Sequence, residues 1–477
     1  MPFATDILTD PSVSASARQQ ALDRIHSDPG VPQSSTTSSF WTLGPHKFSQ
    51  EAAKPLPKEA DVVIIGSGIT GAAIARTLLQ NRASKPSSTS HPSVVMLEAR
   101  TVCSGATGRN GGHILETADD YAEFADIFGV DAARKLIRFR LAHLKEMLAV
   151  AEELGITTET QARKIKFLSV YFGDEPWKAA LERMHRFKEG MPKEAAEWTS
   201  YEGDAIPRYG ALWPYKFVTG VLKRLLADFP DDFRVEENTA VTAIHDDTAS
   251  NGPRYKVETS RGTITTRHVI HCTNAHVSHL VPGFRGRIFP VRGQMSAQTP
   301  GDKFPNQAAH HSWLFNYDRG FDYMTQLPGG QMMLGGGFAQ GEGGGLADLG
   351  VSTDSDLSLY IDIHLSGALR AIFGAKDWGC VQGDPVQAMW TGNMAFSSDG
   401  FPWIGRLPGA VTGRSEHGSE GAEWAMATML LARDASLNET VSADLSWFPE
   451  QLLVSEERFA ETVLPKEVGD DVHRANL

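Results

Sequence analysis

The residues Val62, Val63, Ile64 and Ile65 form an unbroken apolar run after a long polar beginning. Continuous rather than alternating apolarity predicts a strand buried on both faces, as in a parallel sheet. Behind it, AAIARTLLQ (residues 72–80) is rich in helix formers and sets Ile74, Leu78 and Leu79 on one face, which predicts a helix. SVVMLEAR (residues 93–100) repeats the buried-strand pattern after a polar loop, NRASKPSSTSHP (residues 81–92). Further along, AARKLIRFRLAHLKEMLAVAEELG (residues 132–155) is the longest periodic helix of a helical stretch over 116–200. KFVTGVLKRLLADFP (residues 216–230) reads as an amphipathic helix, and FRVEENTAVTAIHDD (residues 233–247) as strand, turn and strand. Residues 286–385 alternate strands with glycine turns and then give a helix at SDLSLYIDIHLSGALRAIF. Residues 1–59, rich in Ser, Pro, Thr and Asp, read as an arm rather than core, anchored by Phe40 and Trp41.

Between the first strand and helix stand Gly66, Gly68 and Gly71. A GxGxxG alone is weak, since glycines also make plain turns, but here it lies between a buried strand and a helix. In that setting Gly66 permits the tight turn, Gly68 lets the backbone approach a pyrophosphate, and Gly71 allows close helix–strand packing. The helix N-terminus adds donors and a partial positive charge. Glu98, ending the second strand, is placed to hold ribose hydroxyls. An acid there suits an unphosphorylated ribose, that of FAD or NAD.

Composition narrows the class. A chain of 477 residues suggests two domains, and 41% apolar with 22% charged residues is ordinary for a globular enzyme. The net charge of −13 argues against nucleic acid or an anionic membrane as partner. No apolar run approaches membrane-span length. Cys103, Cys272 and Cys380 lack metal-ligand spacing, which points to reduced thiols and a cytoplasmic location. The C-terminal RANL is a poor match to a peroxisomal SKL signal. HHSW (residues 310–313) has no second ligand cluster at suitable spacing, so no metal is expected.

The segment ARTVCSGATGRNGGHI (residues 99–114) resembles that of the D-amino-acid oxidase-like family of FAD-dependent amine oxidoreductases. IHCTNAHVSHLVPG (270–283), IFPVRGQM (288–295), FDYMTQLPGGQMMLGGG (321–337) and SSDGFPWIGRLPG (397–409) fit the same family in the same order. The branch it most resembles holds gamma-glutamylputrescine oxidase and sarcosine oxidase, in a fungal type. The resemblance implies an α/β fold, with an FAD-binding Rossmann-type domain and a second α+β substrate domain on an antiparallel sheet. It implies a discontinuous FAD domain (60–115, 205–285 and 386–440), a substrate domain (116–204 and 286–385) and a tail (441–477). YKVETSRGTITTRHVI (255–270) would supply a hairpin and the returning strand.

By that resemblance, cofactor contacts are expected from Gly66, Gly68, Ile69, Thr70, Gly71, Glu98, Ala99 and Arg100. The run Ser104, Gly105, Ala106, Thr107, Arg109, Asn110, Gly111, Gly112 and His113 offers small residues and backbone donors for wrapping a planar ring. Val241 matches a residue that bonds adenine through its backbone, and Thr273, Asn274, Ala275, Asp399 and Gly400 match flavin-side turns. Arg109 faces either phosphate or solvent, and His113 is either a catalytic group or a satisfied loop histidine. Catalytic candidates are His113, Tyr323 and Trp390, with Phe315, Tyr317 and Gln326 as further substrate contacts. Arg292 matches an arginine at the start of the substrate sheet, with a structural role equally open. The implied reaction is oxidation of a small amine or amino-acid C–N bond by hydride transfer to FAD, with molecular oxygen as a candidate acceptor. FAD is expected to be non-covalent, because PVQAMWTGNMAFS (386–398) contains no cysteine.

One departure stands out. The family normally follows its second flavin-side turn with a strand and a glycine-rich loop that caps the ribityl chain. Here GRSEHGSEGAEW (413–424) runs into AMATMLLARD (425–434), so Glu423–Trp424 reads as a strand start, with the loop lost and helix resuming at Ala425. A catalytically weakened FAD-binding protein is therefore the alternative reading.

Overall fold

The computed structural model describes residues 7–43, 55–83, 92–114, 119–196, 198–201, 204–206, 208–247, 255–412, 422–425 and 447–469. Its architecture is mixed α/β, with two sheets. In the first, the strand Glu59–Ile65 lies centrally, parallel to Val94–Leu97 on one side and to Gly262–His271 on the other. Phe233–Glu236 extends the sheet in parallel beyond Val94–Leu97, and the strands Val241–Asp246 and Tyr255–Thr259 form an antiparallel flap. The central apolar run is buried on both faces as its pattern predicts, with Val62, Val63 and Ile64 fully enclosed. The helices Ile69–Ala83 and Pro214–Asp228 cover one face through Ile74, Leu79, Phe217 and Leu222.

The strand Ala422–Ala425 runs parallel to Gly262–His271 and antiparallel to Gly405–Arg406. The strand foreseen at Glu423–Trp424 therefore exists. Ala425 ends it rather than starting a helix, because its backbone pairs with His271. The capping-loop question falls on residues 413–421 and 426–446, outside the described residues.

The second sheet is mostly antiparallel and centres on Ile288–Gln298, His311–Asn316, Phe321–Gln326 and Met332–Gly336. Val386–Ser397, expected with the FAD-binding segments, pairs here along the whole length of Ile288–Gln298. The stretch expected to be purely helical contributes Arg163–Tyr171, a strand parallel to His311–Asn316. Alternating Ile165 and Phe167 are buried there, the period-two signal hidden among the flanking helices.

The expected arm is in part core. Ser14 caps a helix, Ala15–His26, by accepting from Ala17 N, and the helix buries Leu22 and Ile25 against Phe289, Val291 and Leu349. Only one face is apolar, so overall composition concealed it. Trp41 does tuck inward, at 1% exposure. Truncating Ile25 to Ala should cost about 2–5 kcal/mol by opening a cavity in that cluster, and urea unfolding measures it. No change in the unfolding midpoint would contradict a docked helix.

Candidate active site

The glycine positions differ in what demands them. Gly66 has φ +109°, and a Cβ there would sit 2.4 Å from the Cys272 carbonyl oxygen. A Cβ on Gly71 would stand 2.1 Å from the Gly66 oxygen, so helix and strand meet only without a side chain. A Cβ on Gly68 meets only the Thr107 hydroxyl, at 3.0 Å. The protein's own packing requires the outer glycines, whereas Gly68 leaves space on the cleft side. That is the cradle expected for a phosphate group at a helix N-terminus.

Glu98 stands at the end of its strand, but its carboxylate is also a structural hub. One oxygen accepts from Ser67 N (3.2 Å) and Ser67 Oγ (2.5 Å), the other from Arg100 N (3.0 Å). Ser67 Oγ accepts in turn from Cys103 N, tying the cradle to the following loop. A carboxylate offers about four lone-pair positions, so a ribose hydroxyl can still be held. Ser67, as the variable residue inside GxGxxG, carried no signal of its own.

Arg109 does not face bulk solvent. Its guanidinium is buried, donates to the carbonyls of Thr37, Thr391 and Ser104, and lies 3.2 Å from Asp354. Burial pushes its pKa down to about 10, with Asp354 opposing the shift. Arg100 pairs with the same Asp354 at 2.9 Å. Asp354 was invisible to sequence reasoning because it lies some 250 residues from its partners in the chain.

A cavity of about 390 Å³ runs from the cradle toward the second sheet. Of the expected cofactor residues, Gly66, Gly68, Ile69, Thr70, Glu98 and Ala99 line it at the cradle. Arg100, Gly105, Ala106, Thr107, Arg109 and Asn110 continue the wall, and Val241, Thr273 and Asn274 close the other side. Gly293, Met295, Gly392 and Asn393 complete the far end, positions with no local sequence signal of their own. Thr273 Oγ1, Asn393 Oδ1 and Arg100 Nε are buried without a hydrogen-bond partner. Buried polar atoms of that kind call for a polar ligand. A diphosphate-bearing dinucleotide fits both the cradle and these unpaired groups.

Other expected residues stand back from the cavity. Ser104 gives its carbonyl to Arg100 and Arg109, and Ala275 is fully buried. Gly112 adopts φ +73° and its carbonyl accepts from Leu212 N. Asp399 and Gly400 form a turn in which the Asp399 carboxylate is bound by Arg458 at 2.7 Å, so its charge is used within the protein. Arg292 pairs with Asp348 at 2.7 Å. Phe315 and Tyr317 pack toward the helix Leu359–Phe373, and Gln326 bonds Gln307 and Gly330. Strand alternation decides this: Tyr323 faces the cavity, while Asp322 and Met324 point away.

At the far end, Tyr323 meets His113 edge-on at 5.8 Å, and Gly111 is small because a Cβ would lie 2.7 Å from the Tyr323 ring. Trp390 is fully buried behind this wall, and its indole N–H donates to the Arg109 carbonyl. It braces the segment rather than lining the cavity. Neither His113 ring nitrogen has a hydrogen bond of ordinary geometry, although the Met324 carbonyl is nearby. Burial, aided by the charge of Arg163, drives the His113 pKa down to about 4, and burial pushes Tyr323 up to about 12. Among the described residues no cluster of His, Cys, Asp or Glu could hold a metal ion.

A glycine-cradled parallel sheet, open to a second antiparallel sheet, defines a dinucleotide-binding oxidoreductase architecture. The chain belongs to the family of FAD dependent oxidoreductases (DAO), whose model matches residues 61–432. Probable oxidoreductase OrdL of Rhizobium meliloti (strain 1021) is 26% identical over 264 residues, 51% of this chain and 56% of OrdL. The chain thus matches little more than half the length of that relative. Glycine oxidase from Geobacillus kaustophilus shares the fold at TM-score 0.54 and 18% identity, covering 79% of this chain and 92% of its own. L-amino acid deaminase from Proteus vulgaris does so at TM-score 0.54 and 14% identity, over 81% and 93%. L-proline dehydrogenase from P. horikoshii follows at TM-score 0.53 and 18% identity, over 78% and 88%.

Two expectations follow from this geometry. Gly71→Ala should prevent stable folding, whereas Gly68→Ala should leave the melting temperature of flavin-free protein unchanged yet weaken FAD at least about tenfold, or about 1.4 kcal/mol. Titration of flavin fluorescence and thermal melting separate the two. For His113, the depressed pKa means that the unfolded chain binds more protons below its ordinary value of 6.5. Stability should therefore fall from pH 6.5 toward about 4, by up to about 3 kcal/mol from this residue. His26, His143 and His276 are shifted in the same direction. Comparing the pH dependence of urea unfolding with His113→Gln isolates the share of His113, and parallel curves would contradict it.

Proposed function

We propose that this protein oxidises the C–N bond of a small amine or amino acid, with hydride transfer to non-covalently bound FAD. The observation that carries this reading is the cavity that joins the glycine cradle at one end to Tyr323, beside His113, at the other. Gly66, Gly68, Ile69 and Thr70 would hold the pyrophosphate, Glu98 the ribose, Val241 the adenine, and Thr107, Asn110, Thr273 and Asn274 the flavin side. Bound FAD supplies the hydride acceptor, chemistry that no protein side chain offers.

The chain's own part is orientation and exclusion of water. His113, kept neutral by burial, lies edge-on behind Tyr323 and holds that ring in place. Oxidation requires the neutral amine, and a desolvated end of the cavity favours that form over the ammonium ion. Tyr323, held protonated, can donate a hydrogen bond to substrate. Trp390 acts behind them by fixing the Arg109 backbone. Names of the solved neighbours, which act on glycine, L-proline and L-amino acids, agree with a small amine-bearing substrate. Molecular oxygen is the proposed acceptor of the flavin's electrons.

Non-covalent attachment rests on thiol chemistry. Cys103 is buried and Cys272 half-buried, and desolvation raises the pKa of both thiols, so neither supplies a thiolate. Free cysteines also suit a reducing compartment such as the cytoplasm. The weakened-scaffold alternative is not favoured, since the family match continues to residue 432.

Purified protein should show flavin absorbance, release it to the supernatant on acid precipitation, and bleach anaerobically with one member of an amine and amino-acid panel. Tyr323→Phe, which removes the hydroxyl of the ring that lines the cavity, should lower kcat/KM for that substrate by about tenfold, the scale of one lost hydrogen bond. A flavin that no amine or amino acid bleaches would overturn the assignment.

A further inference from the structure

Gly30, Val31 and Pro32 line the same cavity as the cradle, although they precede the first strand of the sheet by about thirty residues. Their segment is bound at intervals along its length. Asp28 is held by His279 at 2.9 Å and Arg285 at 2.7 Å, and the Gly30 carbonyl faces His276 Nδ1 at 2.9 Å. Arg100 donates to the Gln33 carbonyl at 3.3 Å. Ser39 Oγ donates to the Gly108 carbonyl at 2.6 Å, and the Trp41 indole to the Asn110 carbonyl at 2.5 Å. The partners lie on both loops that wall the cavity, residues 98–110 and 272–285.

The centre of this arrangement is Asp354, itself 3% exposed. Its carboxylate sits between Arg100 and Arg109, while its backbone carbonyl accepts from Thr37 N (2.8 Å) and Thr37 Oγ1 (3.0 Å). Arg109 reaches the Thr37 carbonyl at 2.7 Å, and Thr391 N donates to the Thr37 hydroxyl at 2.9 Å. One carboxylate thus gathers two guanidinium groups of the cavity wall beside the segment that bears Thr37. Removing that carboxylate would leave two cations facing each other in a buried setting, an arrangement strongly disfavoured.

We propose that residues 28–42 are a strap that retains FAD, and that Asp354 is the positioning residue that locks the strap over the cavity. The inference rests on the cavity being the FAD site. Because strap and cavity wall share their hydrogen bonds, the cofactor leaves only when the Thr37–Asp354–Arg109 junction opens. Asp354 acts on the strap and its arginines, not on substrate.

The test loads the full chain with FAD, removes free flavin and follows release after dilution by flavin fluorescence. Asp354→Asn and Thr37→Val should each speed release at least tenfold. Asp28→Asn, which breaks the exposed clasp at the start of the strap, should speed it about threefold. In the Thr37→Val protein the rise in melting temperature on adding FAD should shrink relative to the parent, over and above any loss in the flavin-free protein, an effect a merely structural residue would not produce. Bound FAD should protect residues 28–42 from limited proteolysis in the parent chain, and Asp354→Asn should abolish the protection. Should Asp354→Asn fail to fold, the other two variants decide. Unchanged release in Thr37→Val and Asp28→Asn, or equal cleavage of the strap with and without FAD, overturns the strap but leaves the oxidoreductase reading standing. A chain that never takes up FAD overturns both.

Discussion

Everything at the site depends on how closely one helix approaches one strand. The missing side chain at Gly71 lets the helix Ile69–Ala83 rest against the carbonyl of Gly66, and the positive φ of Gly66 turns the chain there. That contact sets where the helix N-terminus points and where the loop bearing Ser67 meets Glu98. Glu98 in turn fixes Arg100, and the segment to His113 is hung from that corner. A methyl group at Gly71 would push the helix outward and dissolve the alignment of the whole wall.

Burial of charge is the second organising constraint. Arg100 and Arg109 converge on Asp354 from a distant part of the chain, and each also donates to backbone carbonyls. Such a cluster is a poor source of net stability, because desolvating the charges costs about as much as their attraction returns. Its value lies in specificity of arrangement: Asp354 brings both guanidinium groups to one point. The same junction joins the N-terminal segment, the loop after Glu98 and the strand Val386–Ser397. Both sheets thereby meet at the cavity in one geometry.

The two ends of the cavity are chemically unlike. Near the cradle the walls are glycines, backbone groups and arginine. Near the second sheet they are Met295 and Tyr323, with His113 behind. Desolvation keeps His113 neutral and Tyr323 protonated at that end, so neither ring carries a charge there.

Local sequence determined the features whose cause is local. The continuous apolar run from Val62 to Ile65, the glycine spacing after it and the acid at Glu98 each signal their role within a few residues. The parallel strands, the cradle helix and the long helix follow, along with most of the loop residues on the cavity wall. Only tertiary structure decided the rest. Whether Arg109 met phosphate, solvent or Asp354 depended on a residue far along the chain, as did the use of Asp399 by Arg458. Which aromatic residues face the cavity depended on strand register, since a shift of one residue exchanges the two faces. Tyr323 and Phe315 lie on neighbouring strands, yet one lines the cavity and the other packs beneath the helix Leu359–Phe373. The N-terminal segment looked polar because its buried positions are few and widely spaced. Many of its hydrogen bonds run to backbone groups, which every sequence possesses and none advertises.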